Sequence, residues 1–111
     1  MAQYREIDSL EDWNGTLSSD RPVVIFKHST TCPVSANALR EFNEYLNGTP
    51  REDVDYALVK VIESRPVSNQ IAEDTTVTHA SPQIIFLQDK AKVWSATHWA
   101  ITKEHITAVL D

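Results

Sequence analysis

Apolar positions along this chain fall into short runs, and the spacing within each run predicts the element it forms. Val23-Val24-Ile25-Phe26 opens a stretch over 23–28 that is apolar at consecutive positions, the pattern of a strand buried on both faces of a largely parallel sheet. Residues 55–61 alternate well enough for a second strand, and Gln83-Ile84-Ile85-Phe86-Leu87 makes a third. Gln88-Asp89-Lys90 then turns the chain into 91–96, so the last two strands are expected as an antiparallel hairpin. Helical spacing fills the gaps. Ser9, followed by Leu10, Glu11, Asp12 and Trp13, is a helix start with acid in its first turn. From Pro33 to about Asn47, Ala38, Leu39, Phe42, Tyr45 and Leu46 form one stripe. Proline suits the first turn, and Gly48 is placed to supply a C′ residue. A shorter helix over 65–74 uses Val67, Ile71 and Ala72, and a final one has Thr102 as N-cap with Ile101 and Ile106 at staple spacing.

The predicted order is αβαβαββα within one domain over residues 1–111. Strand-helix-strand favours a right-handed parallel crossover, and the closing hairpin adds antiparallel pairing. The expected class is α/β. That order is the thioredoxin-like fold: a central mixed four-stranded sheet flanked by helices, with an extra N-terminal helix.

Composition narrows the function. Sixteen acidic residues against ten basic ones give a net charge of -6 with no basic run, which argues against nucleic-acid binding. No apolar run reaches the length of a membrane span, and Arg5, Glu6, Asp8, Glu11 and Asp12 are incompatible with the apolar core of a signal peptide. Gly15 and Gly48 are the only glycines, too few for a phosphate loop or dinucleotide fingerprint. One cysteine makes no internal disulfide. A cytoplasmic protein with no membrane partner is the expectation.

That cysteine is the candidate for chemistry. Cys32 lies in Ser29-Thr30-Thr31-Cys32-Pro33-Val34-Ser35, between a buried strand and the start of a helix. Helix N-termini present unpaired N–H groups and a partial positive charge that favour an anionic sulfur, and the anion is the reactive form. Ser35 stands three residues on, where dithiol enzymes keep a second cysteine. Its hydroxyl is one turn from Cys32 and able to donate to it. Thr31 and Pro33 frame the thiol. His28 and His79 fall in the two segments expected to converge on it, as candidates to polarise the sulfur or shuttle protons. Lys27 alternates onto a different face from His28. Trp94 and Trp99 are expected to pack in the core or as a lid, and His98 and His105 to be solvated. The four histidines are scattered and one thiol cannot hold zinc, so no metal site is expected.

Cys32-Pro33-Val34-Ser35 after the first buried strand, with Ser81-Pro82 before a later one, resembles the thioredoxin and glutaredoxin superfamily. The longer strings Phe26-Lys27-His28-Ser29-Thr30-Thr31-Cys32-Pro33-Val34-Ser35 and His79-Ala80-Ser81-Pro82-Gln83 resemble the monothiol bacilliredoxins more specifically. The resemblance implies a cis Ser81–Pro82 bond opposite the active-site loop, with Ser81 backbone groups pairing an extended substrate by strand addition. It also implies thiol–disulfide exchange that removes bacillithiol from protein mixed disulfides through Cys32. Bacillithiol would be the co-substrate, with no tightly bound cofactor. The partners would be bacillithiolated proteins and a small thiol or dithiol reductant protein for regeneration. Three departures from better-known relatives matter. Phe26 replaces the buried Asp of thioredoxins. Pro33 and Val34 replace the Gly and Phe of cluster-binding monothiol glutaredoxins. Ala96-Thr97-His98-Trp99-Ala100 replaces the Gly-containing acidic turn with which glutaredoxins hold glutathione, leaving Thr97 and His98 as candidate contacts for a sugar–malate conjugate. Two other functions remain open from sequence: an iron–sulfur carrier sharing Cys32 with an external thiol, and a non-catalytic adaptor.

Overall fold

The computed structural model describes residues 3–110. Its sheet has five strands in the order β1-β3-β2-β4-β5: β1 Arg5–Glu6, β2 Val23–His28, β3 Asp55–Lys60, β4 Gln83–Gln88 and β5 Ala91–Thr97. The helices are α1 Leu10–Ser18, α2 Pro33–Asn47, α3 Arg65–Thr75 and α4 Lys103–Leu110, with a short 3-10 turn at His98–Ala100. β2 and β3 run parallel, joined across α2, while β4 runs antiparallel to β2 and β5 to β4. This is the thioredoxin-like α/β architecture.

The expected four-stranded sheet gains one strand. Arg5 and Glu6 pair in parallel with Ala57 and Leu58, and the Ile7 N–H extends the ladder to the Leu58 carbonyl at 2.8 Å. Two exposed residues contain no alternation to detect, so periodicity passes over them. Other local expectations hold. Ser9 caps α1 by accepting from the Asp12 N–H, and Thr102 Oγ1 accepts from the His105 N–H at 3.1 Å. Asp89 and Lys90 both take positive φ in the β4–β5 turn, the geometry a two-residue hairpin requires. Gly48 differs: it ends α2 at φ -87°, so the left-handed C′ conformation expected there is not used. Its N–H bonds the Tyr45 carbonyl instead.

β2 is the middle strand, and its alternate residues feed two cores. Val24 and Phe26 face α2 and α4 with Phe42, Tyr45, Ile84, Ile101 and Ile106. Val23 and Ile25 face α1 and α3 with Trp13, Val67, Ile71 and Leu87. Trp13 Nε1 donates to Asp74 Oδ2 at 2.8 Å, tying α1 to α3. On the other face Phe42 is fully buried and stacks on Phe26 with centroids 5.3 Å apart. That contact fixes α2, and therefore the turn before it, against β2. Phe42→Ala should destabilise the fold by about 3–5 kcal/mol, seen as a lower urea midpoint at unchanged slope.

Candidate functional site

β2 ends at His28, and four residues later Cys32 is the N-cap of α2 with Pro33 in the first turn. The turn is closed by the Cys32 N–H to the Ser29 carbonyl at 3.3 Å, and the Cys32 carbonyl receives the Ala36 N–H at 3.1 Å. Cys32 is partly exposed and its side chain makes no capping hydrogen bond. Pro33 and Thr31 are exposed beside it, and Thr31 Oγ1 lies 3.5 Å from Ser29 Oγ. Thr30 Oγ1 donates to Glu63 Oε2 at 3.1 Å, which ties the loop to the segment after β3.

Ser35 is fully buried beneath the thiol's turn. Its Oγ accepts the Ser29 N–H at 2.9 Å and lies 2.7 Å from His28 Nδ1. Burial pushes the His28 pKa below its ordinary 6.5, with Glu63 opposing and Lys60 adding to the shift. The Ser35 hydroxyl and His28 Nδ1 share one hydrogen bond, whose donor is set by the imidazole tautomer. In either tautomer the Ser35 oxygen, which the sequence offered to Cys32, ties the end of β2 to the first turn of α2.

His79 has partners of its own. Its Nδ1 lies 3.3 Å from Lys27 Nζ and 3.3 Å from Ser68 Oγ of α3, on the opposite side of the sheet from the His28–Ser35 pair. Burial lowers its pKa first, and the positive charges of Lys27 and Arg65 lower it further. Lys27 is the residue that sequence reasoning left unplaced. It is fully buried on the α3 face, where Nζ donates to the Ser68 carbonyl at 3.0 Å, and burial brings its pKa down to about 8. Its signal in the sequence is a lone cation in an otherwise apolar strand.

The Ser81–Pro82 bond is cis. Ser81 Oγ is buried without a hydrogen-bond partner, as is Gln83 Oε1. The Pro82 carbonyl accepts the His98 N–H at 3.1 Å, and Thr97 pairs with Gln83 across β4–β5. Thr97 and His98 thus adjoin the Pro82 segment, with His98 at φ 53° and exposed. Trp94 packs at the edge of the core with its ring 4.9 Å from that of His105. Trp99 does not pack as expected: it is 67% exposed, projecting from the 3-10 turn that follows β5. Among the described residues no three His, Cys, Asp or Glu side chains group to hold a metal ion, and no helix is long and apolar enough to cross a membrane.

Residues 5–106 match the family model described as monothiol bacilliredoxin BrxC. Among solved structures, a candidate oxidoreductase with a thioredoxin fold superposes with a TM-score of 0.84 at 30% identity, covering 96% of this chain and 92% of that one. Thioredoxin of Malassezia sympodialis gives a TM-score of 0.73 at 18% identity, covering 99% and 90%. Oxidised thioredoxin of Plasmodium falciparum gives 0.74 at 11%, covering 97% and 95%. The last two bear on the fold alone.

The buried Lys27 has a measurable cost. A lysine at about 8 when folded and 10.5 when unfolded disfavours the folded state by about 3 kcal/mol at pH 7. The folded state binds fewer protons between those values, so the penalty is full below about pH 8 and fades as pH rises toward 10.5. Lys27→Met should therefore unfold at higher urea than the parent at pH 7, with the gap narrowing above pH 8.

Proposed function

The chain belongs to the monothiol bacilliredoxin family, and from that premise we propose that it removes bacillithiol from protein mixed disulfides through Cys32 alone. Its thiol redox role follows from the family and the fold. One observation carries the single-thiol reading: the position three residues after Cys32 holds Ser35, buried and bonded to His28 and Ser29, so no resolving thiol stands in the first turn of α2.

The exchange has two displacements. The Cys32 thiolate attacks the bacillithiol sulfur of the target's mixed disulfide. The sulfur–sulfur bond of that disulfide breaks, and the target leaves as a thiolate that takes a proton from water. Cys32 then carries bacillithiol in a new disulfide. A second small thiol, or a dithiol reductant protein, attacks that disulfide as its thiolate, restoring the Cys32 thiolate and forming a disulfide with the departing bacillithiol. The partial positive charge at the start of α2 supports the sulfur anion in both steps. In this reading Ser81 pairs an extended substrate through its backbone by strand addition, while Thr97 and His98 offer hydroxyl and imidazole groups to the sugar and malate. The site operates in a reducing cytoplasm, where a lone thiol stays available.

Exposure to bacillithiol disulfide should add one bacillithiol mass per chain, and Cys32→Ser should add none. An unmodified wild-type mass would remove the enzymatic reading. From one target protein carrying either thiol, bacillithiol should be released faster than glutathione. Equal or faster glutathione release would defeat the choice of thiol and leave the one-thiol exchange intact.

A further inference from the structure

Lys27 is a cation with no counter-ion among the described residues, sealed inside a packed layer. Such a charge is costly unless its hydrogen bonds are well used. Its Nζ lies 3.0 Å from the Ser68 carbonyl and 3.3 Å from His79 Nδ1. An ammonium only donates, so Nδ1 must be the bare, accepting nitrogen. The Ser68 hydroxyl, also 3.3 Å from Nδ1, is able to donate to the same lone pair. A neutral imidazole with bare Nδ1 carries its proton on Nε2. A second proton on His79 would set an N–H against an ammonium at that distance.

The surrounding groups agree. Arg65 of α3 adds another positive charge near His79. Gln83 of β4 stands directly across from Lys27 in the ladder, and its Nε2 donates to the Thr78 carbonyl, one residue before His79. His79 itself is exposed, two residues before Ser81. Nothing on α3, β2 or β4 that these contacts involve supplies a carboxylate to reverse the preference.

We propose that Lys27 is a positioning residue for the exchange: its hydrogen bond to Nδ1 holds His79 as the neutral Nε2–H tautomer, which offers an N–H donor to oxygen acceptors of a substrate lying along the Ser81–Pro82 segment. This rests on the thiol-exchange reading for its role, while the tautomer stands independently of it. Lys27 touches no reacting atom. It acts through His79, and the outer nitrogen is the one that meets substrate.

The test combines imidazole nitrogen NMR with exchange kinetics on the whole protein. In the parent at pH 7, His79 should show an unprotonated Nδ1 and a protonated Nε2. In Lys27→Met it should become a tautomer mixture whose pKa moves up toward the ordinary value. Exchange with bacillithiol disulfide should slow about 2- to 10-fold, the worth of one hydrogen bond. His79→Ala should slow it similarly, and the double variant should be no slower than His79→Ala alone. Lys27→Arg, which keeps a charged donor, should restore the tautomer in part. An unchanged His79 tautomer in Lys27→Met would overturn the proposal, as would losses that multiply in the double variant. If the parent forms no adduct at all, the exchange reading fails on that ground, and the NMR result still decides whether Lys27 sets the tautomer.

Discussion

The burial of β2 on both faces is the constraint on which the rest of this structure depends. Held between β3 and β4 and covered by helices on either side, the strand has no freedom to shift register. A one-residue slip would exchange Phe26 and Ile25 between two differently shaped cores and would move Lys27 into the layer under α2. The end of the strand is therefore held in a fixed place, and with it the turn that carries Cys32. The Phe26–Phe42 stack holds the helix on the far side of that turn.

The two histidines show how alternation along one strand divides the polar work. His28 falls on the α2 side and is bound to Ser35, so it stiffens the loop around the thiol. Lys27, one residue earlier, falls on the α3 side and reaches His79. In both pairs Nδ1 faces inward and the shift in pKa is downward. The thiol itself is left without a capping bond to its own helix, which suits a sulfur that must open to a partner and leave again.

Much of this was legible in the sequence because it is local. The start of α2 at Pro33, the Ser9 and Thr102 caps, the 89–90 turn and the position of Cys32 each depend on a few neighbouring residues with strong preferences. β1 was not legible, because Arg5 and Glu6 become a strand only by meeting Ala57 and Leu58. Alternation separated Lys27 from His28 but could not say which layer each would enter, since that depends on where α3 packs. The bonds of Ser35 were equally hidden: its place in the first turn of α2 suggested the thiol as partner, whereas the end of β2 folds back to bond its oxygen through the Ser29 N–H and His28 Nδ1. Trp99 is a large apolar side chain that the pattern assigned to packing, and the 3-10 turn at His98–Ala100 instead lifts it into solvent.

The direction of attack is the central claim, and a single turnover tests it most directly. One equivalent of the protein is mixed with a target carrying bacillithiol, quenched with acid and weighed intact. The account predicts equal amounts of free target thiol and of chain bearing one bacillithiol on Cys32. A disulfide-linked complex of target and Cys32, with bacillithiol released, would show attack at the wrong sulfur and contradict it.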